Sequence, residues 1–176
     1  MTIYALSSGP GLSGVAVIRV SGPNTKKVLK NMTFSPIPNP KVATLRKFKN
    51  PETKELIDEG ILLWFPGPQS YTGEDMAEFH VHGSKAVIDA ISLSISKIHG
   101  CRLAEPGEFT KIAFQNGKIN LLKAESISDL LASETEIQRK QAIKIMSGKS
   151  SDKFNSLRKL NSSADLPFII LIACCL

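Results

Sequence analysis

The sequence predicts an α+β (mixed α/β) domain over residues 1–118, followed by an all-helical segment. Three observations predict it. The run Gly14-Val-Ala-Val-Ile-Arg-Val-Ser-Gly22 is short, apolar and bounded by glycines, as a buried strand is. Val87, Ala90, Ile91, Ser94, Ile95 and Ile98 recur at helical spacing. Beyond Pro106-Gly107 the apolar pattern is helical throughout. With 42% hydrophobic and 22% charged residues in 176, the chain is too apolar to stay disordered and long enough to close a core.

The elements follow in order. After the Gly14–Gly22 strand, Pro23 to Met32 predicts a short helix with proline near its first turn. Pro36, Pro38 and Pro40 then interrupt the chain. Val42–Phe48 and Leu56–Phe65 read as strands, the second ending at Pro66-Gly-Pro68. Met76-Ala-Glu-Phe-His-Val-His82 carries enough β-branched and aromatic residues for another. Gly83 is expected to open the amphipathic helix and Gly100 to stop it. Phe109, Ala113 and Phe114 fit one face of the next helix, which Asn116-Gly117 ends. Asn120 is placed to cap a further helix with the stripe Leu121, Ala124, Ile127, Leu130 and Leu131. Ser133-Glu-Thr-Glu136 fits a capping box for a basic helix reaching about Ser147. Residues 161–176 end in an apolar tail without a helical stripe.

Composition excludes several classes. No run of about 18 apolar residues occurs, so no membrane span is expected. Cys101 stands far from the adjacent Cys174 and Cys175, a spacing that suits neither a disulfide framework nor a zinc site. The start, Met1-Thr-Ile-Tyr-Ala-Leu6, has no basic n-region and no Arg-rich transit segment. Residues 139–159 hold seven cations against Asp152 alone, which equals the net charge of +6 for the whole chain. Such a stripe is either a solvated helix face or a phosphate-attracting surface that contacts RNA.

Candidate chemistry concentrates between Phe65 and Gly83. There Pro66-Gly-Pro68, Tyr71-Thr-Gly73, three carboxylates and two imidazoles share one loop and strand. Strand alternation puts Glu78, His80 and His82 on one face. The histidine pair has no evident third and fourth metal ligands. Glu78 is either a surface carboxylate or an acceptor for a fused-ring N–H donor. Arg19 interrupts an apolar strand, so it either snorkels at the strand end or faces a ligand. Lys118 follows a helix-ending Asn-Gly, another ligand-facing position. The glycine-rich Gly9–Gly14 turn precedes a strand, the reverse of a dinucleotide fingerprint. Ser147-Gly-Lys-Ser150 lacks the first glycine of a phosphate-binding loop, where Ile143 stands, and the strand before it. No GTP or ATP site is therefore expected in this chain.

These segments together resemble the N-terminal part of the MnmE (TrmE) family of tRNA-modification GTPases. The resemblance runs through Gly14–Gly22, Leu63-Trp-Phe-Pro-Gly-Pro-Gln-Ser-Tyr-Thr-Gly-Glu-Asp75, Glu78, His82-Gly83, Pro106-Gly-Glu-Phe-Thr110, Ala113-Phe114, Asn116-Gly-Lys118 and Ser133–Glu136. It covers roughly residues 2–160, and the central motif looks closest to the mitochondrial branch.

The resemblance implies a tetrahydrofolate-binding, dimerising domain at 1–118, similar in fold to folate-binding aminomethyltransferases. It implies part of a helical domain at 119–160 and leaves 161–176 as a non-family tail. In the family, a Ras-like GTPase domain is inserted in the helical domain. With a flavin-dependent partner protein, the enzyme modifies carbon 5 of the wobble uridine of tRNA. The implied cofactor is a one-carbon tetrahydrofolate, 5,10-methylene or 5-formyl. Carried over residue by residue, its contacts fall on Arg19, Glu78 and Lys118, with Glu78 holding the pterin. The chain is expected to be truncated before the GTPase domain and to form a homodimer or a mixed dimer with a full-length family member. A non-catalytic decoy that pairs with such members is the alternative. The location implied is mitochondrial, or cytoplasmic given the missing transit segment.

Overall fold

Alternation of Ala16, Ile18 and Val20 with Val17, Arg19 and Ser21 makes β2 (Ser13–Ser21) a strand with two unlike faces. In the computed structural model, which describes residues 1–147 apart from Pro10 and Leu12, β2 lies inside a six-stranded sheet. The other strands are β1 (Thr2–Leu6), β3 (Thr44–Lys49), β4 (Leu56–Phe65), β5 (Met76–Gly83) and β6 (Cys101–Leu103). Their order is β3-β4-β5-β2-β1-β6, antiparallel except for the parallel β1–β6 pair.

One face of this sheet is the core. The cross-strand rows Leu62–Phe79–Ile18 and Trp64–Ala77–Val20–Tyr4 are all buried. Helices α1 (Thr25–Thr33) and α2 (Lys85–Ser96) supply Val28, Leu29, Met32, Ile91 and Ile95 to the same cluster. Phe79 meets Phe48 edge-on, with ring centroids 5.1 Å apart. Each fully buried side chain of this size contributes about 1.5–3 kcal/mol. Truncating Phe79 to alanine would cost about 3–5 kcal/mol.

The other face carries the odd-numbered β2 residues and the even-numbered β5 residues. Its rows are Phe65–Met76–Ser21–Ile3, then Leu63–Glu78–Arg19–Ala5, then Leu45–Ile61–His80–Val17. The loop Pro66–Asp75 and helix α3 (Glu108–Gln115) cover the first row: Thr72 bonds Ser21, and Arg102 on β6 pairs with Glu108. The third row stays open, with Leu45 and Ile61 exposed.

Met1–Lys118 forms one compact unit and a second begins at Ile119. The second contains α4 (Leu121–Leu131) and α5 (Glu136–Met146), which pack on each other. No helix among the described residues is long and apolar enough to cross a membrane.

Several expectations shift. Ser84 rather than Gly83 caps α2, its hydroxyl accepting from the Val87 N–H, because Gly83 still belongs to β5. Pro23 stands near the first turn of α1 as expected, directly before its N-cap Asn24. In α3 Ala113 is buried but Phe114 is exposed, and the α4 stripe leaves Leu121 and Leu131 exposed. The capping box of α5 is Thr135 with Gln138, two residues beyond the expected pair. Strands β1 and β6 were not expected. Within the glycine-rich 9–14 turn, Pro10 and Leu12 lie outside the described residues. So do residues 148–150 of the Gly-Lys-Ser match, the basic stripe beyond Ser147 and the 161–176 tail with Cys174 and Cys175.

Candidate functional site

Arg19 and Glu78 are direct cross-strand partners on β2 and β5. Their register places both side chains on the face away from the core. Arg19 donates from Nε and Nη2 to the same oxygen, Glu78 Oε1, at 3.0 and 2.8 Å. The other oxygen, Oε2, lies 3.4 Å from His80 Nε2. Both side chains are mostly covered, Glu78 at 14% exposure and Arg19 at 27%. An ion pair so placed leaves a strong penalty if one partner is removed.

The loop that covers this pair is fastened at its last residue. Asp75 Oδ1 accepts from the Gly67 N–H at 3.0 Å, and its carbonyl accepts from the Gly22 N–H and the Thr25 hydroxyl, both at 2.9 Å. Lys26 Nζ stands 3.2 Å from Asp75 Oδ2. Deeper in the loop, Thr72 and Ser21 share a buried hydroxyl contact of 2.7 Å. The Gly67–Pro68 peptide is cis.

Three consecutive residues at the start of α3 close the site. Glu108 grips Arg102 on β6 through a two-point ion pair, and this bond holds its carboxyl below the usual range. The Phe109 ring centroid lies 5.6 Å from the Arg19 guanidinium, and the Tyr71 centroid 5.7 Å. Thr110 Oγ1 meets Tyr71 Oη at 3.0 Å. Loop and helix thus join across Arg19.

Lys118 lies against Gly73 of the same loop. Gly73 adopts φ +81°, and a Cβ there would come within 2.8 Å of Lys118 Cε and 3.3 Å of Asn116 Cβ. Lys118 Cε can swing aside, so it is the positive φ that asks for glycine here. Asn116 Nδ2 donates to the Thr72 carbonyl at 2.8 Å. Arg19 and Glu78 are therefore bonded directly, whereas Lys118 is exposed and packed against Gly73.

His82 separates from its neighbours, pairing with Asp58 through its backbone N–H and Nδ1, each at 2.8 Å. Burial pushes the Asp58 carboxyl up, but the His82 N–H and ring and the Glu59 N–H outweigh it and hold it below its ordinary value. Among the described residues no group of three potential ligands could hold a metal ion. Beside His80, Val15, Gly60, Ile61 and His82 line a depression of about 280 Å³. Sequence reasoning passed over Tyr71 and Phe109. Both lie inside stretches that carry the family resemblance, Leu63–Asp75 and Pro106–Thr110, and that was the available signal.

The family model described as the GTP-binding protein TrmE N-terminus matches residues 2–118. The chain belongs to this family. It is 74% identical over 159 residues to the tRNA modification GTPase MnmE of Pelagibacter ubique, covering 90% of this chain and 36% of that protein. It is 52% identical over 147 residues to a mitochondrial 5-taurinomethyluridine tRNA synthase subunit of Danio rerio, covering 84% and 29%. The human counterpart is 48% identical over 148 residues, covering 84% and 30%. The chain spans about a third of the length of these relatives, which are bacterial and mitochondrial alike.

Proposed function

We propose that this TrmE N-terminal chain binds a one-carbon tetrahydrofolate through Arg19, Glu78 and Lys118, and serves as the cofactor-holding, dimerising part of a wobble-uridine (carbon 5) tRNA-modifying enzyme. The observation that carries the reading is the Arg19–Glu78 pair. It stands on the non-core face of the sheet beside two aromatic rings, with one carboxylate oxygen held, among the described residues, only by a long contact to His80. A carboxylate so placed can accept from adjacent ring N–H donors of a pterin. Lys118 would meet an anionic part of the cofactor as a mobile point charge. The reading extends the likeness to folate-binding aminomethyltransferases. It supplies the one-carbon unit, whereas phosphoryl chemistry, tRNA and a flavin-dependent partner belong to the assembled enzyme.

Calorimetry of the 176-residue chain with 5-formyltetrahydrofolate tests the reading. Saturable binding is expected, lost in Glu78→Ala and weakened about tenfold in Lys118→Ala. Absence of binding by the unaltered chain would refute it.

A further inference from the structure

We propose that Tyr71 and Phe109 are positioning residues. Together they clamp the Arg19 guanidinium so that it engages one oxygen of Glu78 and leaves the other free for a planar, amide-bearing ring. This rests on the folate reading above and adds the device that shapes that site.

Arg19 spends Nε and Nη2 on Glu78 Oε1, and among the described residues Nη1 has no hydrogen-bond partner. Among the same residues Glu78 Oε2 is held only by the 3.4 Å contact to His80 Nε2. One donor nitrogen and one acceptor oxygen are thus available at the pair. An N–H on the edge of a planar ring presents the donor that this oxygen can accept.

A free arginine would not hold this arrangement. Its side chain has large rotamer freedom, and at 27% exposure Arg19 has a path to solvent. The rings at 5.6 and 5.7 Å supply what the ion pair alone lacks, since both lie within cation–π range of the guanidinium. They come from separate elements, each anchored independently of Arg19. Asp75 fastens the Tyr71 loop to α1 through Thr25 and Lys26, Thr72 ties it to Ser21 on β2, and the Arg102–Glu108 pair fastens the Phe109 turn to β6. The Tyr71–Thr110 hydroxyl contact then ties the two anchors together over the guanidinium. The clamp is set before ligand arrives, which lowers the ordering cost of binding.

The test compares the full chain with Phe109→Leu, Phe109→Trp, Tyr71→Phe, Arg19→Lys and the Arg19→Lys/Phe109→Leu double variant. Calorimetry with 5-formyltetrahydrofolate should show about fivefold weaker binding for Phe109→Leu, with an unchanged melting midpoint. Phe109→Trp should restore it, and Tyr71→Phe should lose less because its ring remains. In the Arg19→Lys background, Phe109→Leu should change nothing further. Full additivity of the two substitutions, or wild-type affinity in Phe109→Leu, would overturn the clamp. A ligand-free arm separates this claim from the folate reading. The Arg19 Nε–Hε NMR resonance should be shifted by the ring currents and move in Phe109→Leu. If the unaltered chain binds no folate but this resonance moves, the folate reading fails and the clamp stands. An unmoved resonance refutes the clamp. Should Phe109→Leu fail to fold, Tyr71→Leu gives the same two readouts.

Discussion

Gly60 sets how closely β4 approaches β5. A Cβ there would stand 2.1 Å from the His80 carbonyl oxygen and 3.2 Å from Phe48 Cε2. The obstacle at 2.1 Å is backbone, so relief requires the two strands to part. Gly60→Ala is expected to cost at least about 1–3 kcal/mol, the range for overpacking, and a urea titration would show it as a lowered midpoint. Asp58, on the same strand, makes stability depend on pH. Its folded-state pKa lies below its ordinary value, so its contribution is full above about pH 4 and is lost as pH falls through the folded value. Asp58→Asn should therefore destabilise the chain at neutral pH, and the gap from the unaltered protein should close in acid. At this scale Arg19 was legible as a charge that interrupts an apolar strand, and Glu78 as a carboxylate that only the family resemblance singled out. Tyr71 and Phe109 were not. An aromatic residue in a loop or helix start reads as ordinary packing until a distant strand brings a guanidinium between the rings.

Elements with a strong period were legible, whereas those defined by partners were not. Strand β4 matches its expected bounds, Leu56–Phe65, because turn residues punctuate both ends. Strand β6 has three residues and exists through its parallel pairing with β1, which no local pattern encodes. The start of α5 shows a different limit. Ser133 with Glu136 and Thr135 with Gln138 both satisfy the capping-box spacing. The second wins because Gln138 Oε1 accepts from the Glu134 and Thr135 N–H groups and the Thr135 hydroxyl, while Ser133 donates back to the Leu130 carbonyl. Thr135→Ala should thus destabilise α5 by about 1 kcal/mol, and Ser133→Ala by clearly less. Amide exchange along Glu136–Met146 would report the difference, and equal effects would contradict this assignment of the cap.

For the whole molecule, one sheet face is filled by α1 and α2 and the other is only partly covered. The mixed α/β class could be read from the sequence because alternation and helical spacing are local. Which sheet face would stay open depended on where the Pro66–Asp75 loop and α3 came to rest. Their coverage stops at the Arg19–Glu78 row, leaving Leu45 63% and Ile61 42% exposed beside His80, with Val15 57% exposed nearby. Apolar surface gathered on one sheet face, next to a polar site, is the pattern of an association surface. A second copy supplies the same row, so a two-fold contact places each apolar residue against its counterpart region. A two-fold dimer of this chain would be expected to use this face. Glutamates at Val15 and Ile61 would set like charges across the two-fold axis. Because both positions are exposed, the fold itself should tolerate them. Sedimentation velocity is expected to give a dimer for the unaltered chain and a monomer for Val15→Glu/Ile61→Glu, with similar melting midpoints. A double variant that stays dimeric would move the interface off this face.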